Sequence, residues 1–255
     1  VKFKNMPVDG MAKTIIVATT LCFICSMVVS FAAVNLKSKQ EVNKALDKQK
    51  NILQVAGKYY EGVNIQKTFS SFEPLIVDLE NGKFTNKFDP LVFDDKKASQ
   101  DPLLSIALKE DPASIGRRAN FVTIYLLKNN DGSLDKVILP VHGYGLWSTL
   151  YGFIALENNL NDIFGLQFYQ HAETPGLGAE DDNPKWKAQW KGKKLNNENG
   201  DLMIQVAKTS KEKEYHIDAL AGATLTSNGV NNLVKFWMGQ SGFKKFLKNL
   251  KNGEA

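Results

Sequence analysis

The chain has 255 residues, of which 43% are hydrophobic and 10% aromatic. This composition excludes an intrinsically disordered chain and allows a buried core in one or two domains. The net charge of +5 comes from scattered lysines, and the densest group of them lies at residues 185–194, around Trp186 and Trp190. The two tryptophans have helical i, i+4 spacing, so we expect them to pack inward beneath a solvated face and predict no nucleic-acid partner.

The first clear element is an uncharged apolar run over residues 14–34. It is long enough for a helix to cross a bilayer and longer than the roughly 7–15 apolar residues of a signal peptide. A cleaved signal peptide is the alternative, with a weak small-residue site at Ser30–Ala32. We predict an uncleaved transmembrane helix, which also contains both cysteines, Cys22 and Cys25, so that no disulfide is available to the rest of the chain.

Lysines flank this run on both sides, so their number does not fix its orientation. A short basic N-terminus tends to stay inside, whereas long domains are translocated largely regardless of charge. We therefore predict a cytoplasmic stub over residues 1–13 and an extracytoplasmic domain over residues 58–255. Between the membrane helix and that domain, residues 35–57 have helical periodicity and end at Gly57, which predicts a helical stalk.

Residues from about 58 to 115 have no clear periodicity, but the strand signals that follow are strong. Phe121–Lys128 and Leu134–Val141 flank Asp131-Gly132, which predicts a β-hairpin. Residues 143–159 and 162–173 predict two more strands, and Leu202–Lys208 another. Such short connections are typical of an antiparallel sheet.

The helices that flank this sheet are predicted near Asn183-Pro184 and over two apolar periodic segments on either side of Gly239 and Gly242. The predicted fold class is therefore α+β: a single N-terminal transmembrane helix is followed by one soluble domain with a mainly antiparallel sheet and flanking helices.

Two loops at strand ends combine glycines with polar and apolar side chains, namely His142–Trp147 and Glu173–Glu180. Each alone is more often an ordinary turn. Together they offer exposed backbone, an apolar wall and a few polar groups, which suit a planar ligand. The three histidines have no metal-ligand spacing, and there is no Walker loop and no GxSxG motif.

A third loop, at Asp218–Thr224, consists largely of small residues and precedes a helix that we predict to begin near residues 226–228. Such a loop leaves backbone N–H groups unpaired at the positive end of a helix, which predicts an anion site, most naturally for a phosphate. The alternative is an ordinary N-cap supplied by Thr226 or Ser227. The residue types alone leave both interpretations open.

The stretch "DALAGATLTSNGV" resembles the flavinylation site of the FMN-binding domain in the C subunit of the Na+-translocating NADH:quinone oxidoreductase. In that family the pattern is Asp-x-x-Ser/Thr-Gly-Ala-Thr, and its threonine carries FMN through a phosphoester that a flavin transferase makes. Asp218, Gly222, Ala223 and Thr224 match, whereas Ala221 stands where the family has a hydroxyl residue. The resemblance extends over nearly the whole chain, and the G subunit of the Rnf electron-transport complex is a more distant relative.

The resemblance implies FMN attached to Thr224, beside the helix that begins near Thr226. Trp147 would form one wall for the flavin ring, with Leu177 opposite. The flavin or its ribityl chain would be bonded by three further groups: Glu173, Thr174 and the backbone of Gly176 and Gly178. Lys208 would favour an anionic form of the ring electrostatically.

The function implied is that of an electron-carrying subunit with covalent FMN in a bacterial inner-membrane complex, with its large domain on the periplasmic side. It would relay electrons from NADH towards ubiquinone. Its partners would be the other membrane, flavin and iron–sulfur subunits, the transferase and the lipid bilayer. The alternatives are the Rnf subunit, an anchored module that binds a phosphate ligand non-covalently, and, because of Ala221, an assembly subunit without a cofactor.

Overall fold

The computed structural model describes residue 7 and residues 10–255. Most of the predicted stub over residues 1–13, including Lys2 and Lys4, lies outside the described residues. The chain divides into two compact units, Val1–Asp47 and Lys48–Ala255. The second unit begins before residue 58, the predicted start of the domain, because Ile52 and Leu53 are fully buried in its core.

The N-terminal helix α1 spans Met11–Val55, so the predicted membrane segment and the predicted stalk form one continuous helix. Its best 18-residue window has a mean hydropathy of 2.4, and among the described residues it is the one helix long and apolar enough to cross a membrane. Gly57 follows with a φ of +70°, and the N–H of Lys58 donates to the carbonyl of Leu53 at 2.8 Å. This left-handed glycine ends the helix as the sequence predicts.

The second unit contains a six-stranded sheet of order β2-β1-β5-β6-β7-β8 in which all neighbours are antiparallel. Its strands are β1 (Phe72–Asp78), β2 (Lys83–Thr85), β5 (Phe121–Lys128), β6 (Leu134–Tyr144), β7 (Thr149–Glu157) and β8 (Ile163–Gln170). Two small sheets pair β3 (Ser105–Ala107) with β4 (Arg117–Ala119) antiparallel, and β9 (Gln205–Ala207) with β10 (His216–Asp218) parallel. The predicted antiparallel meander is thus confirmed.

Both faces of the large sheet are covered, which explains why its central strands are almost continuously apolar. Along β5, Val122 and Ile124 face the larger core, whereas Tyr125 and Leu127 face a second cluster that contains the end of α1. In β6, Val137 likewise faces the larger core and Ile138 faces the second cluster. This alternation follows from the period of two in a strand.

The other helices are α2 (Ile65–Phe69), α3 (Asp95–Gln100), α4 (Pro184–Ala188), α5 (Thr224–Met238) and α6 (Lys244–Asn252). The indole of Trp237 in α5 donates to the carbonyl of His142 in β6 at 2.7 Å, which fixes α5 against the sheet. Trp186 and Trp190 are buried and meet edge to face with ring centroids 5.7 Å apart. Their inward packing is as the sequence predicts.

The strand predicted over Leu202–Lys208 is shorter in the structure, where β9 covers only Gln205–Ala207. The reason is that the N–H groups of Met203 and Ile204 both donate to the carbonyl of Leu195 and are therefore not part of a strand ladder. Lys208 consequently follows the strand as an exposed residue.

Candidate functional site

The carboxylate of Glu173 holds three segments of the chain together. Glu173 lies after β8 and is only 5% exposed. Its Oε1 accepts the backbone N–H groups of Trp147 at 3.0 Å, Leu146 at 3.1 Å and Ser148 at 3.3 Å. Its Oε2 accepts the hydroxyl of Thr226 at 2.7 Å. One buried side chain therefore connects the loop after β6, the loop after β8 and the first turn of α5.

These hydrogen bonds keep Glu173 ionised. Burial alone would raise the pKa of Glu173, but the hydrogen bonds from Thr226 and from the three loop N–H groups outweigh burial and lower the pKa below its usual value of 4.5. The negative charge of Glu173 is therefore stabilised by four hydrogen-bond donors that point at its two oxygens. The family resemblance implies that Glu173 bonds the flavin, and in this structure both of its carboxylate oxygens are engaged in holding the loops together.

Two glycines allow this close assembly. A Cβ on Gly178 would lie 2.7 Å from Oε2 of Glu173 and 2.7 Å from Oγ1 of Thr226, and a Cβ on Gly145 would lie 2.7 Å from Oε1 of Glu173. Real side-chain carbons do not come this near to oxygen atoms. Both loops can therefore approach the carboxylate only because these positions have no side chain.

Helix α5 begins at Thr224, earlier than the predicted start near residues 226–228. Its N-cap is Ala223, which provides no side-chain hydrogen bond, and its first turn contains no acidic residue. The N–H groups of Thr224, Leu225 and Thr226 therefore have no intrahelical acceptor and lie at the positive end of the helix dipole. Thr224 itself is exposed to solvent.

The alternative in which Thr226 or Ser227 caps the helix is wrong. The Thr226 hydroxyl donates to Glu173 instead. The Ser227 hydroxyl donates to the carbonyl of Ala223 and accepts the N–H of Leu220, both at 2.9 Å. Tertiary and loop contacts thus occupy both hydroxyls and leave the start of the helix uncapped.

The bend at Thr174–Gly178 lies next to this helix start. The carbonyl of Thr174 accepts the N–H groups of Leu177 and Ala179, each at 3.1 Å, and Gly176 takes a φ of +75°. A Cβ on Gly222 would lie 3.2 Å from Cδ2 of Leu177. The bend and the small-residue loop are therefore in van der Waals proximity.

Large apolar side chains around this junction are exposed to solvent. Trp147 is 64% exposed and Leu177 45% exposed, and Tyr144, Leu146 and Leu225 are exposed as well. An indole left in water beside other apolar groups usually marks a binding surface. Glu173 connects the loop of Trp147 to the first turn of α5, and Leu177 lies next to Gly222 in the loop before α5.

Two of the predicted site residues have other surroundings. Asp218 ends β10, and its Oδ1 lies 3.0 Å from Nε2 of His216, while its carbonyl accepts the indole N–H of Trp186 at 2.7 Å. Lys208 is one residue beyond Ala207, the β9 partner of Asp218, and is exposed. Neither side chain forms a hydrogen bond or an ion pair with Glu173 in the part of the chain that the structure describes.

A cluster that the sequence patterns do not single out lies beside Glu173. Nε2 of His171 is 2.9 Å from Oδ2 of Asp182 and 3.6 Å from Oδ1 of Asp181. The N–H of Glu173 donates to Nδ1 of His171 at 3.2 Å, so in the neutral ring the proton is on Nε2 and points at the carboxylates. This arrangement suits a hydrogen-bonded pair better than a metal site, because a metal ligand needs the lone pair of Nε2.

Asp181 is fully buried, and neither of its carboxylate oxygens has a hydrogen-bond partner among the described residues. Burial raises the pKa of Asp181 to about 7; His171 lowers it, and Asp182 and Glu173 raise it further. The Asp181 carboxyl group therefore destabilises the fold at any pH at which it is ionised in the unfolded chain but still protonated in the folded protein.

Replacing Asp181 with valine is expected to stabilise the protein by roughly 2 kcal/mol at pH 8. Between about pH 4 and pH 7 the unfolded wild type releases a proton that the folded protein retains, so the wild type loses stability as pH rises through this window. The gain of Asp181→Val should thus grow over the same window and then level off, as measured by denaturant unfolding. Asp182→Val, at the exposed neighbour that pairs with His171, is the control and should not stabilise; an equal gain in both variants at every pH would contradict the destabilising role of Asp181.

Comparisons with known proteins agree with this geometry. A family model described as "FMN-binding domain" matches residues 145–239, which include the loop after β6, the bend and α5. The chain is 50% identical to the C subunit of the Na+-translocating NADH-quinone reductase of Pseudomonas aeruginosa. The alignment covers 97% of this chain and 98% of that one. The chain is also 45% identical to the same subunit of Yersinia pestis, over 96% of this chain and 95% of that one.

The solved structure of NqrC from Shewanella oneidensis matches with a TM-score of 0.77 and 34% identity over 82% of this chain and 99% of that one. Fold and site thus define a protein with an FMN-binding domain. The chain belongs to the family of the C subunit of the Na+-translocating NADH-quinone reductase. The predicted family and fold class are confirmed.

Proposed function

We propose that the chain is the electron-carrying subunit of a Na+-translocating NADH:quinone oxidoreductase and that it holds FMN covalently through a phosphoester to Thr224. The observation that carries the proposal is the solvent-exposed Thr224 at the uncapped start of α5, in the same part of the fold as the exposed side chains of Trp147, Leu177 and Leu225. Family membership supports FMN as the ligand.

The residues present fit this group. A phosphate on the Thr224 hydroxyl would meet unpaired N–H groups and the positive end of α5. No heavy atom lies within 4 Å of the place where a Cβ on Gly176 would be, so the backbone is open there. Trp147 and Leu177 would cover apolar parts of the ring.

Bound FMN supplies the capacity to accept and release electrons, and the protein positions it. A tether allows the flavin to remain partly exposed to partner subunits without dissociating, because attachment keeps its effective concentration high. Electrons would enter from the NADH side of the complex and leave towards quinone. The remaining subunits of the complex would be the partners, with a flavin transferase needed for maturation.

We further propose that α1 anchors the chain in the bacterial inner membrane, with residues 1–13 in the cytoplasm and the FMN-binding domain on the periplasmic side. The uncharged, apolar first part of α1 supports the anchor. The periplasmic side is supported by the tendency of long domains to be translocated largely regardless of their charge.

Acid precipitation of the complex purified from a host that contains the transferase tests the covalent bond. Flavin fluorescence should remain with this subunit on a denaturing gel. Release of the flavin into the supernatant would instead support a non-covalent phosphate-binding module. A subunit without flavin, beside a fully active complex, would support an assembly role.

A further inference from the structure

A cavity of about 460 Å³ lies between the turn after β1, strand β4 and the start of α6. It follows the C-terminal end of α5, whereas Thr224 is at the N-terminal end of the same helix. Since α5 spans 15 residues, the two places are about 20 Å apart along its axis. The cavity is therefore separate from the site around Thr224.

Cationic side chains dominate the lining of this cavity. Arg118, Lys244, Lys245 and Lys248 face one carboxylate, that of Glu80. Lys245 donates to the carbonyl of Glu80 at 2.7 Å. Neither Lys244 nor Lys248 makes an ion pair within the described part of the chain, and their i, i+4 spacing places like charges on one face of α6, which is unfavourable without a counter-ion.

Arg118 is the second and independent indication of a ligand. It is only 7% exposed, and its Nη1 donates to the carbonyl of Ser241 at 2.5 Å. Its Nε is buried without a hydrogen-bond partner among the described residues. Burial lowers the pKa of Arg118 while Asp78 and Glu80 raise it, but no carboxylate lies within ion-pair distance in the residues that the structure describes.

A buried guanidinium without a direct anionic partner is costly, and an incoming anion with several acceptor oxygens would relieve this cost. The start of α6 adds to the positive potential, since its first turn contains no acidic residue and no side chain caps it. A tetrahedral phosphoryl group can accept hydrogen bonds from the planar guanidinium of an arginine and interact electrostatically with the ammonium groups of two lysines.

We propose that this cavity is a binding site for a phosphoryl group, held by Arg118, Lys244 and Lys248. The group could belong to a free phosphate or to the headgroup of an anionic phospholipid. Glu80 repels any anion, so the preference for phosphate over chloride rests on the several acceptor oxygens of phosphate, which can accept from Arg118, Lys244 and Lys248 together.

The test is a calorimetric titration of the full chain in neutral detergent, at constant ionic strength set with chloride. Inorganic phosphate, short-chain phosphatidylglycerol and short-chain phosphatidylcholine are the three probes. The variant is Lys244→Gln with Lys248→Gln, which spares the buried Arg118 and so avoids a folding defect. The matched control is Lys211→Gln with Lys213→Gln, two exposed lysines before β10 and outside the cavity.

Phosphate or phosphatidylglycerol should bind, and the cavity variant should weaken that binding about tenfold or more, whereas the control should change it less than about twofold. Tighter binding of phosphatidylglycerol would identify a lipid headgroup, and binding of phosphate alone would identify a small phosphate ligand. The proposal is overturned if neither anion binds, if phosphatidylcholine binds equally well, or if both variants bind as the wild type does.

Discussion

Replacing Thr224 with alanine is expected to abolish covalent flavin attachment and to reduce NADH:quinone activity of the complex to background, while the fold stays intact. Thr224 is exposed, and its hydroxyl has no hydrogen-bond partner among the described residues. Alanine is compatible with the first turn of a helix, so the loss should be chemical and not structural. Fluorescence of the subunit on a denaturing gel and turnover of the purified complex measure the two effects.

Two further variants make this result specific. Thr224→Ser keeps the hydroxyl and should retain at least part of the covalent flavin. Thr209→Ala removes another exposed threonine hydroxyl, outside the site, and should leave the flavin unchanged. Retention of the same covalent label in Thr224→Ala would show that the attachment site lies elsewhere.

Replacing Glu173 with alanine is expected to destabilise the second compact unit by about 2–4 kcal/mol, because three N–H groups and the hydroxyl of Thr226 lose a buried acceptor together. Glu173→Gln retains one carbonyl oxygen for the N–H groups of the loop after β6 and should cost about 1 kcal/mol. Denaturant unfolding of the two variants and the wild type measures the difference. Equal stability of the alanine variant and the wild type would contradict the role of this carboxylate in holding the three segments together.

The effect of Glu173 should also depend on pH. Its pKa is lowered in the folded protein, so its contribution is fully present above the unfolded value of about 4.5 and is lost as pH falls through the lower folded value. Because Glu173 also raises the pKa of Asp181, the comparison is made in the Asp181→Val background, where the stability advantage of Glu173 over Glu173→Gln should be constant from about pH 5 to pH 8 and shrink below about pH 4.5. Incomplete flavin attachment in Glu173→Ala, but not in Glu173→Gln, would link the loop geometry to maturation.

Local signals in the sequence predict much of this fold. The turn at Asp131-Gly132, the glycine stop at Gly57 and the periodicity of the last two helices each depend on residues close in the chain, and each appears in the structure. Strand β1 is not predicted, because it takes its place in the sheet by pairing with β5, for example Phe72 opposite Leu127. The apolar residues of β1 are interrupted by Glu73 and Pro74, so no local periodicity identifies this strand.

The candidate site is predictable in its loops but not in its internal hydrogen bonds. Trp147, the Pro-Gly bend and the small-residue loop can be selected from residue type alone. The start of α5 cannot be predicted in this way, because Thr226 and Ser227 are residue types that commonly cap helices. Only the tertiary structure shows that their hydroxyls bond to other partners. The burial of Asp181 is equally unpredictable, since an Asp-Asp pair ordinarily indicates an exposed turn.

Peptide mass mapping of the wild-type subunit, isolated from a host that contains the transferase, tests the attachment of flavin most directly. Trypsin should release residues 214–235 as one peptide. We expect this peptide to be heavier by one FMN less one water, and fragmentation to assign the added mass to Thr224 and not to the buried Thr226. An unmodified peptide, or an added mass on any other residue, would contradict flavin attachment at Thr224.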